Sequence, residues 1–355
     1  MYILKSELKY IAKNYCMTID FRSDTVTLPS KAMQEAMQHA PLGDDVFCED
    51  PSINQLEAYT AQLFGMEAAI FCPSGTMTNQ IAIKCHTQPG DEIICDETSH
   101  IYQYEGGGIA FNAGASVKLL VGDRGRINAT QVAEAIQPDD VHRPRTSLVS
   151  LENTSNRGGG SCYDLEEIKK IQRLCKEKGL AFHLDGARLW NALVAKNELP
   201  IQYGEAFDSI SVCLSKSLGC PVGSLLVGKK ELIKKARRIR KVFGGGMRQA
   251  GMLAAAGIYA LQNNISRLAE DHQHAALIAD ALKCHPLVKF VLPIETNIII
   301  FELNETITAS AFVASLKAQG ILAYAIAPQR IRLVTHLDIS ATMVAFTIDV
   351  LKKIN

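Results

Sequence analysis

The chain has 355 residues, with 37 lysines and arginines against 37 aspartates and glutamates, and 47% of its residues are apolar. A balanced charge excludes a global field that would draw nucleic acid or an anionic membrane surface, and no apolar run reaches membrane-spanning length. The ten cysteines contain no CxxC pair and read as buried thiols of a reducing compartment, which makes the cytoplasm the expected location.

Residues 1–16 mix Lys5, Glu7, Lys9 and Lys13 with tyrosines and lack the apolar core of a signal peptide. They read as an appended extension. Next, Arg22, Ser23, Asp24 and Thr25 stand just before a helix that Ser30 caps. Four polar residues in a row are either a solvated loop or a segment laid over a site, with Ser23 donating to an anion. A turn at 41–47 and an amphipathic helix over 52–64 follow. A strand over 68–72 then runs into Ser74-Gly75-Thr76 and a helix over 77–85. Free N–H groups at the helix start, a glycine allowing close approach and the Thr76 hydroxyl outline an anion site. The same turn also serves simply to cap many helices.

The strand over 92–96 has His100 just past its end, and a strand near 147–151 has His142 just upstream. Helix 163–178 leads to the strand 180–185, which ends in Asp185 and continues as Gly186-Ala187-Arg188. A carboxylate at the end of a buried strand needs a cationic or protonated partner. That partner is either Arg188 in a structural ion pair or the protonated ring nitrogen of a bound pyridine. The strand 209–214 runs straight into Lys216, flanked by Ser215 and Ser217. Such a lysine is either a snorkelling edge residue or an amine desolvated for Schiff-base chemistry.

The run 223–229 has Walker A spacing, but Lys230 takes the Ser/Thr position and the middle residues are strand-like, so nucleotide binding is rejected. The basic run 229–241 reads as a solvated face or a subunit contact. A helix of small residues starts near 249, and a smaller α+β unit follows with strands over 297–301 and 330–334. No metal-binding pattern occurs.

Strands alternating with helices over 66–228 predict an α/β fold, a mainly parallel central sheet wrapped by helices, with ligands bound beyond the carboxyl ends of the strands. Ser74 to Thr76, His100, Asp185 and Lys216 all fall there. An anion cradle, a carboxylate and an apolar-flanked lysine form a pyridoxal phosphate constellation. The expected organisation is an extension over 1–16, a large cofactor-binding domain over 17–265 and a small domain over 266–355.

The motifs Phe21-Arg22-Ser23-Asp24-Thr25-Val26-Thr27, Gly43-Asp44-Asp45-Val46, Pro73-Ser74-Gly75-Thr76, Leu184-Asp185-Gly186-Ala187-Arg188, Cys213-Leu214-Ser215-Lys216, Gly244-Gly245-Gly246-Met247-Arg248-Gln249 and Arg332-Leu333-Val334-Thr335-His336 occur in order. With them the chain resembles the low-specificity L-threonine aldolases of the β-eliminating lyase group, from about Ile19 to the C-terminus. The resemblance implies the aspartate-aminotransferase fold and pyridoxal 5'-phosphate as cofactor. It also implies retro-aldol cleavage of L-threonine, L-allo-threonine and other β-hydroxy-α-amino acids, giving glycine. Lys216 would carry the cofactor, Asp185 its ring nitrogen, Gly75 and Thr76 its phosphate, and His100 would stack on its ring. Ser23, Arg188 and Arg332 would bind the substrate carboxylate, with His100 and His142 nearest the substrate hydroxyl. Lys241 and Arg248 would approach the phosphate of a neighbouring subunit in a homotetramer with shared sites. The chain departs from the family at Ser155, where histidine is usual, and at Cys220, where threonine is common. Other pyridoxal phosphate chemistry, a cofactor-free lysine aldolase and a non-catalytic interaction protein are the competing readings.

Overall fold

The computed structural model of the chain describes residues 18–354; the extension over 1–16 lies outside them. A seven-stranded sheet forms the centre, from β2 (Ala68–Cys72), β3 (Asp91–Asp96), β4 (Ser116–Leu120), β5 (Arg145–Glu152), β6 (Ala181–Gly186), β7 (Ser209–Cys213) and β8 (Ser224–Gly228). Their order is β2-β8-β7-β6-β5-β3-β4. Only β8 runs against its neighbours; the strands from β7 to β4 are parallel. The inner strands are buried on both faces, as their near-continuous apolar runs require. The Walker-like run 223–229 therefore folds largely as β8, hydrogen-bonded on both sides.

The edge strand β4, Ser-Val-Lys-Leu-Leu, is half-exposed, and its polar residues hide it from an apolar-run search. The helix Gly251–Asn263 packs on Lys31–Gln38 and Pro51–Leu63. Its small residues make this possible: a Cβ at Gly257 would stand 2.8 Å from Leu214 and 2.9 Å from Leu56. The basic helix Lys230–Val242 is only partly a solvated face. Arg237 pairs with Glu57, and buried Arg240 pairs with Asp45 at 2.7 Å and donates to the Phe71 carbonyl.

A second, antiparallel sheet has the order β12-β13-β10-β9, from β9 (Val288–Val291), β10 (Ile298–Leu303), β12 (Tyr324–Ala327) and β13 (Arg330–Val334). Three helices pack around it, Leu268–Lys283, Ala309–Ala318 and Ala341–Leu351. The N-terminal segment joins this unit rather than the large one. Its strand β1 (Ile19–Asp20) pairs with β11 (Ile321–Leu322), and Ile19 and Phe21 sit in the small unit's apolar core. The chain therefore enters through the small unit, crosses to the large one and returns, because Ile19 and Phe21 find their apolar partners there.

Candidate active site

The carboxyl ends of β2, β3, β5, β6 and β7 share one edge of the central sheet. Two adjoining cavities open there, of about 150 and 330 Å³. Ser74, Gly75, Thr76, Asn79, His100, Asp185 and Lys216 line the smaller one. Ser23, Tyr104, Asn156, Arg188 and Arg332 line the larger, with His100 and Lys216 common to both.

The helix Gly75–His86 begins at the edge of the smaller cavity. The Ser74 hydroxyl accepts from the Met77 N–H at 3.2 Å and the Ser74 carbonyl from Thr78, which leaves the N–H groups of Gly75 and Thr76 for an anion. Glycine is required at 75 because a Cβ would stand 2.6 Å from the Cys213 Sγ on β7. Lys216 follows β7 in a turn closed by Gly219, whose N–H donates to the Lys216 carbonyl at 2.8 Å with φ at +80°. Left-handed backbone of this kind favours glycine.

Asp185 is buried at the end of β6. Its oxygens accept from the Asn79 side-chain amide at 2.9 Å and the Ala187 N–H at 3.1 Å. Arg188 is not its partner, which removes the structural-pair reading of that motif. Arg188 instead grips Asp24 with two bonds of 2.8 and 2.7 Å, and both are almost wholly buried. Burial would raise the Asp24 carboxyl, but the Arg188 charge and its hydrogen bonds hold it far below the usual range. The polar run 22–25 is thus a segment laid over the site, although Ser23 spends its hydroxyl oxygen on the Thr25 N–H.

Arg332 enters from β13. It donates to the Asn156 side chain at 2.8 Å and the Arg22 carbonyl at 3.0 Å, and its Nε is buried without a partner. Burial, and next the charge of Arg188, lower its pKa to about 10. Two guanidinium groups crowded together with an unpaired N–H form a site for an anion.

His100 is held by Glu105, Nδ1 to Oε1 at 3.0 Å. Burial opposes its protonation, but the Glu105 hydrogen bond and the Asp185 charge outweigh this and raise its pKa. Glu152, buried beside Asp185 on the neighbouring strand, accepts from the N–H groups of His100 and Asn156. Burial, and then the Asp185 charge, push its carboxyl up to about 7.

The fold thus brings Ser23, Gly75, Thr76, His100, Asp185, Arg188, Lys216 and Arg332 together. It does not bring His142. That residue is exposed, bonded to Asp140 at 2.8 Å, and precedes β5. In a parallel sheet, residues before a strand lie at the edge opposite those that follow one, so His142 does not line its own chain's cavities. Lys241 and Arg248 are exposed and also stand apart from the cavities; Arg248 pairs with Asp44 at 2.9 Å. Sequence reading missed Asn79, Glu105, Glu152 and Asn156, whose roles rest on partners distant in the chain.

The family model described as beta-eliminating lyase matches residues 20–306. The low specificity L-threonine aldolase of Escherichia coli K12 is 45% identical over 328 residues, which are 92% of this chain and 96% of the relative. A probable low-specificity L-threonine aldolase 2 of Arabidopsis thaliana is 41% identical over 95% of this chain and 97% of its own length. Among solved structures, a threonine aldolase of Leishmania major superposes with a TM-score of 0.84 at 22% identity, covering 94% of this chain and 99% of its own.

Proposed function

The chain belongs to the beta-eliminating lyase family, and from that premise we propose that it cleaves L-threonine and L-allo-threonine to glycine and acetaldehyde with pyridoxal 5'-phosphate as cofactor. The observation that carries the reading is Asp185: a buried carboxylate, held by neutral donors, facing the same cavity as Lys216. A protonated pyridine nitrogen fits that carboxylate as its counter-charge, and the N–H groups of Gly75 and Thr76 fit a phosphate. Lys216 would hold the cofactor covalently through its amine, and His100 would lie against its ring. When bound, the cofactor supplies an electron sink for the breaking Cα–Cβ bond.

The chain's own groups do the rest. Arg332 holds the substrate carboxylate, with the edge of Arg188 not committed to Asp24 beside it. That clamp fixes rotation about Cα, so that the bond to be broken is the one presented to the ring. Asp185 keeps a proton on the ring nitrogen. Among the described residues His100 is the histidine lining the cavities, and its imidazole takes the proton from the β-hydroxyl oxygen, directly or through one water. As that proton leaves, the Cα–Cβ bond breaks and acetaldehyde departs, and a proton taking the place of Cβ on Cα gives glycine. The exposed pair Lys241 and Arg248 serves the phosphate of a neighbouring subunit, in an oligomer with shared sites.

Incubating the protein and pyridoxal phosphate with each threonine isomer tests the reading. Equal amounts of glycine and acetaldehyde are expected from L-threonine and L-allo-threonine. Release of 2-oxobutyrate and ammonia, or transfer of the amino group, would put a different reaction on the same fold.

A further inference from the structure

Behind the cofactor pocket, buried polar groups form one continuous hydrogen-bonded line. The Asn79 side-chain nitrogen lies 2.9 Å from Asp185 Oδ2 and 2.9 Å from Glu105 Oε1. Its oxygen lies 3.2 Å from His183 Nε2. His183 Nδ1 is 2.8 Å from the Ser209 hydroxyl, which is 2.8 Å from His86 Nε2. Asn79, His183 and Ser209 are all buried, and none of them is needed to close an apolar core.

The chemistry of the groups gives the line a direction. Ionised carboxylates only accept, so the Asn79 NH₂ must face Asp185 and Glu105, one proton to each, and its oxygen must face His183. Burial holds His183 and His86 neutral, with pKa values near 3 and 4. A neutral imidazole has a single N–H. The Asn79 oxygen can only accept, which places the His183 N–H on Nε2; Nδ1, which also lies 3.1 Å from the Ser209 carbonyl oxygen, then accepts from the Ser209 hydroxyl, and Ser209 accepts from His86 Nε2. His86 → Ser209 → His183 → Asn79 → Asp185 and Glu105 is then a one-way chain of donors that ends on two carboxylates.

Those carboxylates serve different partners. Asp185 faces the Lys216 cavity, while Glu105 holds His100 and also accepts from Gln80 at 2.7 Å. We propose that Asn79 is a positioning residue that ties the carboxylate under the cofactor nitrogen to the His100–Glu105 pair, and that His183 fixes its orientation. The proposal rests on the functional reading above. Were the Asn79 amide free to turn, its oxygen would face two carboxylates, and both Asp185 and His100 would lose their fixed settings.

Pyridoxal phosphate titrated into the full-length protein, followed by its visible band, tests this. His183→Phe fills the space without a donor, whereas His183→Gln puts an N–H close to the Nε2 position. We expect Asn79→Asp to weaken cofactor binding about tenfold or more, as loss of a hydrogen bond to a charged group does, and His183→Phe to weaken it about three- to tenfold, the scale of a lost neutral hydrogen bond, and both to move the band. His183→Gln should keep near-wild-type affinity and band. A folded His183→Phe protein with wild-type affinity and spectrum overturns the proposal, as does equal loss in the Phe and Gln variants, which would mean packing alone. If His183→Phe does not fold, Asn79→Asp still tests the tie to the two carboxylates, and wild-type affinity and spectrum in that variant overturn the proposal. Wild-type protein that takes up no pyridoxal phosphate overturns the functional reading and this proposal together.

Discussion

Replacing Asp24 by asparagine would leave the Arg188 guanidinium buried with no counter-charge, since that carboxylate takes two of its bonds and is itself fully buried. Breaking a buried pair from one side costs about 3–5 kcal/mol, so Asp24→Asn is expected to lower the urea midpoint markedly and, because Arg188 lines the substrate cavity, to raise KM. Arg332→Ala acts differently. It forfeits two hydrogen bonds, to the Asn156 side chain and the Arg22 carbonyl, but no ion pair, so the urea midpoint should fall less than for Asp24→Asn while KM rises and kcat falls, the carboxylate clamp having also oriented the breaking bond. Glu152 gives a pH dependence whose sign is fixed. Burial and the Asp185 charge raise its carboxyl from 4.5 to about 7, so the folded chain keeps a proton that the unfolded chain has already lost. The stability it contributes is full below the unfolded value and is lost as pH rises to about 7. Glu152→Gln should therefore show a smaller fall in urea midpoint than the parent between about pH 5 and 7. His86 and His183 act in the opposite sense but are common to both proteins, and so cancel in that difference.

The helix Gly75–His86 owes its seat to one missing methyl group, because a Cβ at 75 would collide with Cys213 Sγ. Gly75→Ala should push the helix start off β7 and weaken pyridoxal phosphate about tenfold, the scale of an overpacked contact. Cys213→Ala in the same chain should restore part of that affinity, measured as a double-mutant cycle. Which elements could be read from sequence follows from burial. The strands β2, β3, β6 and β7 carry short apolar stretches with polar residues at or just beyond their carboxyl ends, and Gly75, Thr76, His100, Asp185 and Lys216 stood out because each stands at or just past such an end. β4 did not, since an edge strand with a lysine at its centre has no apolar signature. Asn79 looked like any polar residue on a helix. Its meaning lies in Asp185 and His183, more than a hundred positions away. The Asp24–Arg188 pair spans 164 positions and was invisible for the same reason. His142 came from the family resemblance alone, and its place before β5 keeps it out of its own chain's cavities.

At the scale of the molecule, Lys241 and Arg248 stand on the surface and line neither cavity of their own chain. If they complete a neighbour's site, Lys216→Ala chains mixed with Arg248→Ala chains, each weak alone, should regain part of the activity in hybrid oligomers. Hybrids that stay inactive would show that each subunit holds a complete site. The two units of the chain are joined in an unusual order. Phe21 sits in the small unit's core and its carbonyl accepts from the Val334 N–H, Arg22 accepts from Arg332, and two residues further on Asp24 grips Arg188 in the large unit. On the ribosome this separates the partners in time. The strands that cover residues 19–22 follow them roughly 300 residues later, on the order of tens of seconds at about 5–20 residues per second. Throughout that interval Phe21 is an uncovered apolar side chain that a chaperone can hold. The lining that the chain itself gives the pocket around Lys216 comes from residues 74–216, whereas Arg332 follows more than about 100 residues later. The nascent chain thus assembles its cofactor pocket well before it has the means to grip a substrate.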